Sequence, residues 1–212
     1  MTKRHLALAA ALGGALMLAG CAGAASGPGS TGGDAGDPAG IGATIAAPGE
    51  VVGQGTVLQT GDAAPQFCLG PVAESYPPQC SGPELIGWDW DAVEGHETAG
   101  DTTFGAYAIW GAWDGERLTV TSSIMLALYD PMPFEDPLLD EANAGDADPA
   151  ELERIQTEIA ESAPFVVLSS AVMNGYLFVD VLYDDGRLQA WADARYLPDV
   201  VAIRPALRDV EA

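Results

Sequence analysis

The chain has 212 residues, 31 of them acidic and 8 basic, for a formal net charge of −23. A surface of that sign repels nucleic acid and anionic lipid headgroups, so nucleic-acid binding is set aside. One lysine and two histidines occur in the whole chain, which leaves no basis for lysine Schiff-base chemistry, a P-loop or a histidine-rich metal centre, and no cofactor is expected.

The N-terminal stretch runs from Lys3 and Arg4 through an uncharged apolar segment, Leu6 to Leu18, to small residues before Cys21. About 13 apolar residues fall short of the ~20 that a helix needs to span hydrocarbon. Residues 1–20 therefore read as a secretory signal. The signal ends in "LAGC", and Leu18, Ala19, Gly20 and Cys21 match, position by position, the lipobox that this stretch resembles, that of bacterial lipoproteins. The resemblance implies a diacylglycerol on the Cys21 thiol and cleavage just before it. The mature protein would then be held by membrane lipid at the extracytoplasmic face of the cell membrane, with two acyl chains giving a stable anchor. Residues 21–49 are mostly Gly, Ala, Ser and Pro, with Asp34 and Asp37 the only charges. They read as a flexible tether with an r.m.s. reach of about 30 Å.

With Cys21 acylated, Cys68 and Cys80 remain as an even pair in an oxidising compartment, where a disulfide is expected. Their spacing is unlike the C-x-x-C of a redox pair.

Residues 50–129 read as a β-rich domain. "EVVGQGTVLQ" is a strand rich in Val and Thr, ending before the turn-like "TGDAAP". In "ELIGWDWDAVEG", Ile86, Trp88, Trp90 and Ala92 alternate with Gly87, Asp89 and Asp91, the period of a strand with one apolar and one acidic face. "TTFGAYAIWGAW" is apolar on both faces and glycine-broken, as a bent central strand is. Asp114-Gly115 marks a hairpin turn into a strand through Leu118 and Val120, which "SIMLALYD" continues or follows with a fifth. Four or five bent strands in this length resemble a small OB-like β-barrel, with a curled antiparallel sheet as the structural alternative. The block "FCLGPVAESYPPQCSGPELIGWDWDAV" followed by "GAYAIWGAWDGERLTVT" resembles small secreted lipoproteins of Gram-positive, actinobacterial type, a likeness that brings no catalytic residues with it.

Residues 130–147 hold three prolines and many acidic residues without periodicity, and read as a linker. At Asp148 a helix is predicted, with Asp148 as N-cap, Pro149 in the first turn and Glu151 completing a capping box. Leu152, Ile155 and Ile159 share its apolar face and Pro164 ends it. A hairpin turning on Asn174-Gly175 follows. A second helix through Leu188, Trp191, Ala192 and Arg195 comes next, and then a last strand, "VVAIRP". Residues 148–212 thus form a small αββαβ unit, and the fold class is α+β.

The candidate surface gathers Asp89, Asp91, Tyr107, Trp110 and Trp113. Two carboxylates at i and i+2 on a strand stand about 6.6 Å apart, near the separation of a glycosidase acid and base, although side chains of one strand point parallel. Aromatic rings beside them offer stacking surfaces for a sugar or a partner's side chain. The acidic stretch before residue 148 lacks an EF-hand pattern and reads as solvated rather than calcium-binding. The leading expectation is a membrane-anchored binding or interaction module of the cell envelope, with an envelope protein or wall glycan as partner. A carboxylate-based, glycan-acting enzyme and a passive structural lipoprotein are the alternatives.

Overall fold

The computed structural model describes residue 41 and residues 45–130 and 136–210, so Cys21, the signal and most of the tether lie outside the described residues. The long strand β1 (Glu50–Thr60) is followed by two short ones, β2 (Gln66–Cys68) and β3 (Glu84–Ile86). Cys68 and Cys80 are joined across the loop between them, with Cα atoms 5.9 Å apart. Glycine is required where these strands converge. A Cβ on Gly55 would stand 2.3 Å from the Cys68 carbonyl oxygen, and one on Gly82 would stand 1.9 Å from that of Phe67.

The expected strand over "ELIGWDWDAVEG" is cut short. Gly87 takes a left-handed φ of +82°, and Asp89 caps a single 3-10 turn, Trp90–Ala92, by accepting from the Asp91 amide at 2.9 Å. An Asp two residues ahead of a free amide offers the backbone a local partner that competes with the ladder. β4 (Glu97–Ala99), β5 (Thr102–Trp113) and β6 (Arg117–Met125) follow. The "SIMLALYD" segment extends β6 and then folds into a 3-10 turn, Leu126–Leu128.

β1 pairs with β5 along its whole length, Glu50 opposite Ala112 through Thr60 opposite Thr102. From β1 the pairings pass to β2, to β3, to β6 in parallel and back to β5 across a bulge at Trp110/Gly111. The sheet is curled and is not a closed barrel, since a single residue pair, Gln66 opposite Glu84, links β2 to β3. This is the partly open five-stranded order of an OB-like fold. Its core holds Val51, Val57, Phe67, Leu85, Tyr107, Ile109, Trp113 and Leu118.

Helix α1 (Pro149–Ser162) begins where its cap predicts, the Asp148 carboxylate accepting from the amides of Ala150 and Glu151. Glu151 itself pairs with Arg154 rather than with the cap. The turn between β7 (Val167–Met173) and β8 (Tyr176–Val181) carries the two positive φ values of a type I′ hairpin, 49° at Asn174 and 78° at Gly175. Helix α2 (Arg187–Tyr196) crosses over to β9 (Val201–Pro205), which lies parallel to β8. Both helices bury their apolar residues, Leu152, Ile155, Ile159, Leu188 and Ala192, against Leu177, Val179 and Val181 of β8.

Two stretches tie this unit to its surroundings. Residues 136–147 form 3-10 turns capped by Asp136 and Asp140. They are anchored to the second hairpin by Asn174, which donates to the Leu138 and Asp140 carbonyls at 2.7 and 2.8 Å, and by Tyr176, which donates to the Asn143 carbonyl at 2.8 Å. After β9 the chain returns to the first sheet. Leu207 is buried in the first core with Tyr183, and β10 (Arg208–Asp209) pairs with Val51 and Val52. The described residues all fall within one compact unit.

Candidate functional site

Where the two cores meet, neither closes fully on the other. An apolar cavity of about 270 Å³ remains, lined by Ile41 and Ile45 ahead of β1, Trp113 at the end of β5, residues 163–166 after α1, residues 181–183 at the end of β8, and Leu188 of α2. Sequence places these groups for local reasons. Pro164 stops α1 and lays residues 165 and 166 across the gap. The β8 strand ends on the alternating Val181 and Tyr183, both buried, and the left-handed Gly186 turns the chain into α2. Val166 stands at the rim with 63% of its surface exposed, whereas Trp113 is 4% exposed and forms the cavity's inner wall. Val166 and Leu182 also line a second apolar hollow of about 400 Å³, bounded by Gly70, Pro71, Gly82 and Pro83 beside the disulfide loop.

Polar groups near the cavity sit on its Tyr183 side. The Tyr183 hydroxyl donates to Asp209 Oδ1 at 3.0 Å. Burial pushes its pKa up to about 12, with Asp209, Asp185 and Asp184 adding to the effect. The Asp184 carboxylate accepts from the Leu188 amide at 2.8 Å and from the Gln189 amide at 3.3 Å, capping α2.

The five residues predicted as a surface fall in three separate places. Asp89 and Asp91 are exposed on the turn before β4, Asp89 serving as its cap, and neither lines any of the three cavities. With no strand face beneath them, the acid–base spacing read from the sequence does not arise. Tyr107 is 1% exposed; its hydroxyl donates to the Glu94 carbonyl at 2.9 Å, and burial raises its pKa. Its ring meets Trp88 edge-on at 4.8 Å, with Trp90 beside them at 5.3 Å from Trp88. Trp90 donates to Gln59 at 2.6 Å and lies 5.4 Å from His96. These aromatics plug one end of the curled sheet. Trp110 is half-buried, edge-on to Tyr129 at 5.5 Å. Of the five, Trp113 alone reaches the cavity.

Sequence reasoning missed Ile41, Ile45, Val166, Leu182 and Tyr183. The first two carried a signal, being the large apolar residues in a stretch otherwise made of small ones. Among the described residues, no group of three or more His, Cys, Asp or Glu side chains is arranged to hold a metal ion. Comparison with known proteins finds no matching family model, no similar curated protein and no similar solved structure. The geometry of the cavity therefore carries the functional reading alone.

Proposed function

We propose that the protein is a lipid-anchored, extracytoplasmic binding module of the cell envelope that takes an apolar ligand group between its two sheets. The cavity beside Trp113 carries this reading. Its volume of about 270 Å³ is nearly twice that of the ~150 Å³ apolar cavity that admits benzene, which scales to a chain of about ten carbon atoms. Burying ten methylenes contributes about 8 kcal/mol, against an association cost of at least about 4 kcal/mol. The balance corresponds to a Kd of about 1 mM. The lipobox-like "LAGC" and the disulfide pair support an exported, anchored chain. Ile41 and Ile45 bring the cavity to the place where the tether joins the folded body, so on this reading it opens near the anchored end.

The test is binding of 1-decanol, measured by saturation-transfer NMR, to the wild type and to Ala163→Leu. Ala163 lines the cavity in extended backbone just after α1, where leucine fits without strain and fills the space. Binding to the wild type, lost in the variant at unchanged melting temperature, supports the reading; equal binding to both, or none to the wild type, overturns it. For the anchor, Cys21→Ser should move the protein from the membrane fraction to the medium, and a wild-type protein already free in the medium overturns that part.

A further inference from the structure

We propose that the occupant of this cavity is a single-chain amphiphile with an ammonium head, its tail in the space beside Trp113 and its head against the carboxylates next to Tyr183. The inference rests on the apolar-cavity reading and adds the head group. Its basis is the one-sided placement of charge. The side chains lining the cavity are apolar except for Tyr183. That hydroxyl leads directly to Asp209, and Asp184 and Asp185 are the next two residues along the chain. Asp184 is bonded to the amide of Leu188, itself a lining residue. Asp185 is offset by Arg187, whose Nε lies 3.1 Å away. Arg208 precedes Asp209 on β10, and strand alternation sends its side chain to the opposite face.

Asp184 and Asp209 therefore remain as the acceptors on this side. The phenol of Tyr183 feels all three aspartates in the direction that keeps it protonated. A carboxylate or phosphate head would meet like charge there, reinforced by the net −23 of the chain. An ammonium carries three donors and no acceptor, the complement of two carboxylates and a phenol oxygen.

The probes are decylammonium, 1-decanol and decanoate at pH 8, followed by chemical-shift titration of the full exported protein. Decylammonium is expected to bind roughly tenfold more tightly than decanoate, as one unit charge near a surface allows, with 1-decanol between them. Asp209→Asn retains an oxygen that accepts from Tyr183 and should reduce the ratio to about threefold. In 1 M salt, where the Debye length is about 3 Å, the preference should largely vanish. Ala163→Leu should abolish decylammonium binding, which separates the cavity from general attraction to an acidic surface.

Equal affinities for the three heads overturn the head-group proposal and leave the cavity reading standing. Failure of all three probes to bind overturns both. Decylammonium binding that survives Ala163→Leu, or a preference unchanged by Asp209→Asn, places the head elsewhere and overturns the proposal.

Discussion

Leu207 is the residue on which the joining of the two halves can be tested. It follows the last strand of the small sheet, yet it is fully buried in the core of the large one. A Cβ built on Gly53 would lie 2.8 Å from Leu207 Cδ2, with Leu69 and Phe67 at 3.1 and 3.2 Å. Leu207→Ala empties a space walled by β1, which is paired on both edges and so cannot collapse inward. The cost should therefore lie toward the upper part of the Leu→Ala range of about 2–5 kcal/mol, a large share of a typical stability of about 5–15 kcal/mol. Gly53→Ala alone should also destabilise, because its new methyl meets the leucine. Together the two changes should relieve each other, with a favourable coupling of about 1 kcal/mol. The assay is urea unfolding of the four proteins, followed by tryptophan fluorescence and far-UV dichroism. One transition, coincident by both probes and moved by Leu207→Ala, shows that the sheets unfold as a unit. Strict additivity would refute the packing argument. A separate transition that Leu207→Ala leaves in place for residues 50–129 would refute the union of the halves.

Replacing Cys68 and Cys80 by Ala frees a loop of 12-residue separation, and chain entropy sets the expected loss at about 3 kcal/mol, read as the shift in urea midpoint. Tyr183 has a folded pKa of about 12 against the usual 10. Its contribution is therefore complete below pH 10 and is lost as pH rises toward 12; Tyr183→Phe should flatten that alkaline limb in thermal melts. The carboxyl of Glu158 is held below the usual range chiefly by Arg195, then by Arg154 and Tyr196. Its stabilising effect is present above the ordinary glutamate pKa and falls away as acid protonates it, so Glu158→Gln should show a weaker acid dependence than the wild type.

Elements whose cause is local were legible in the sequence. Asp148 and Pro149 started α1, Asn174-Gly175 turned the second hairpin, and the run from Thr102 to Trp113 became the strand shared by β1 and β6. The period-two pattern after Glu84 misled because hydrophobic alternation does not register a backbone break. Gly87 adopts a positive φ and Asp89 satisfies an amide that a strand would have paired across the sheet. The same chemistry governs residues 136–143, where the aspartates that read as a solvated, charged linker are caps of two short turns.

The cavity was hidden for a different reason. It belongs to no element, since its walls come from five places in the chain that meet only after both sheets have formed. Tyr183 shows the difficulty best. Alternation along β8 predicts its burial, but nothing local says that it leaves the small sheet's core and enters that of the large one, there to meet Asp209 across 26 residues. Trp113 was singled out for a different surface, as an aromatic standing free of its own core. It lies in that core and still borders empty space, because the chain ahead of β1 brings only Ile41 and Ile45 against it. A binding site made by imperfect closure between two units leaves little mark in either one's pattern. The apolar residues that line it obey the same periodicity as those that fill a core, and only their arrangement in space separates a cavity from a seam.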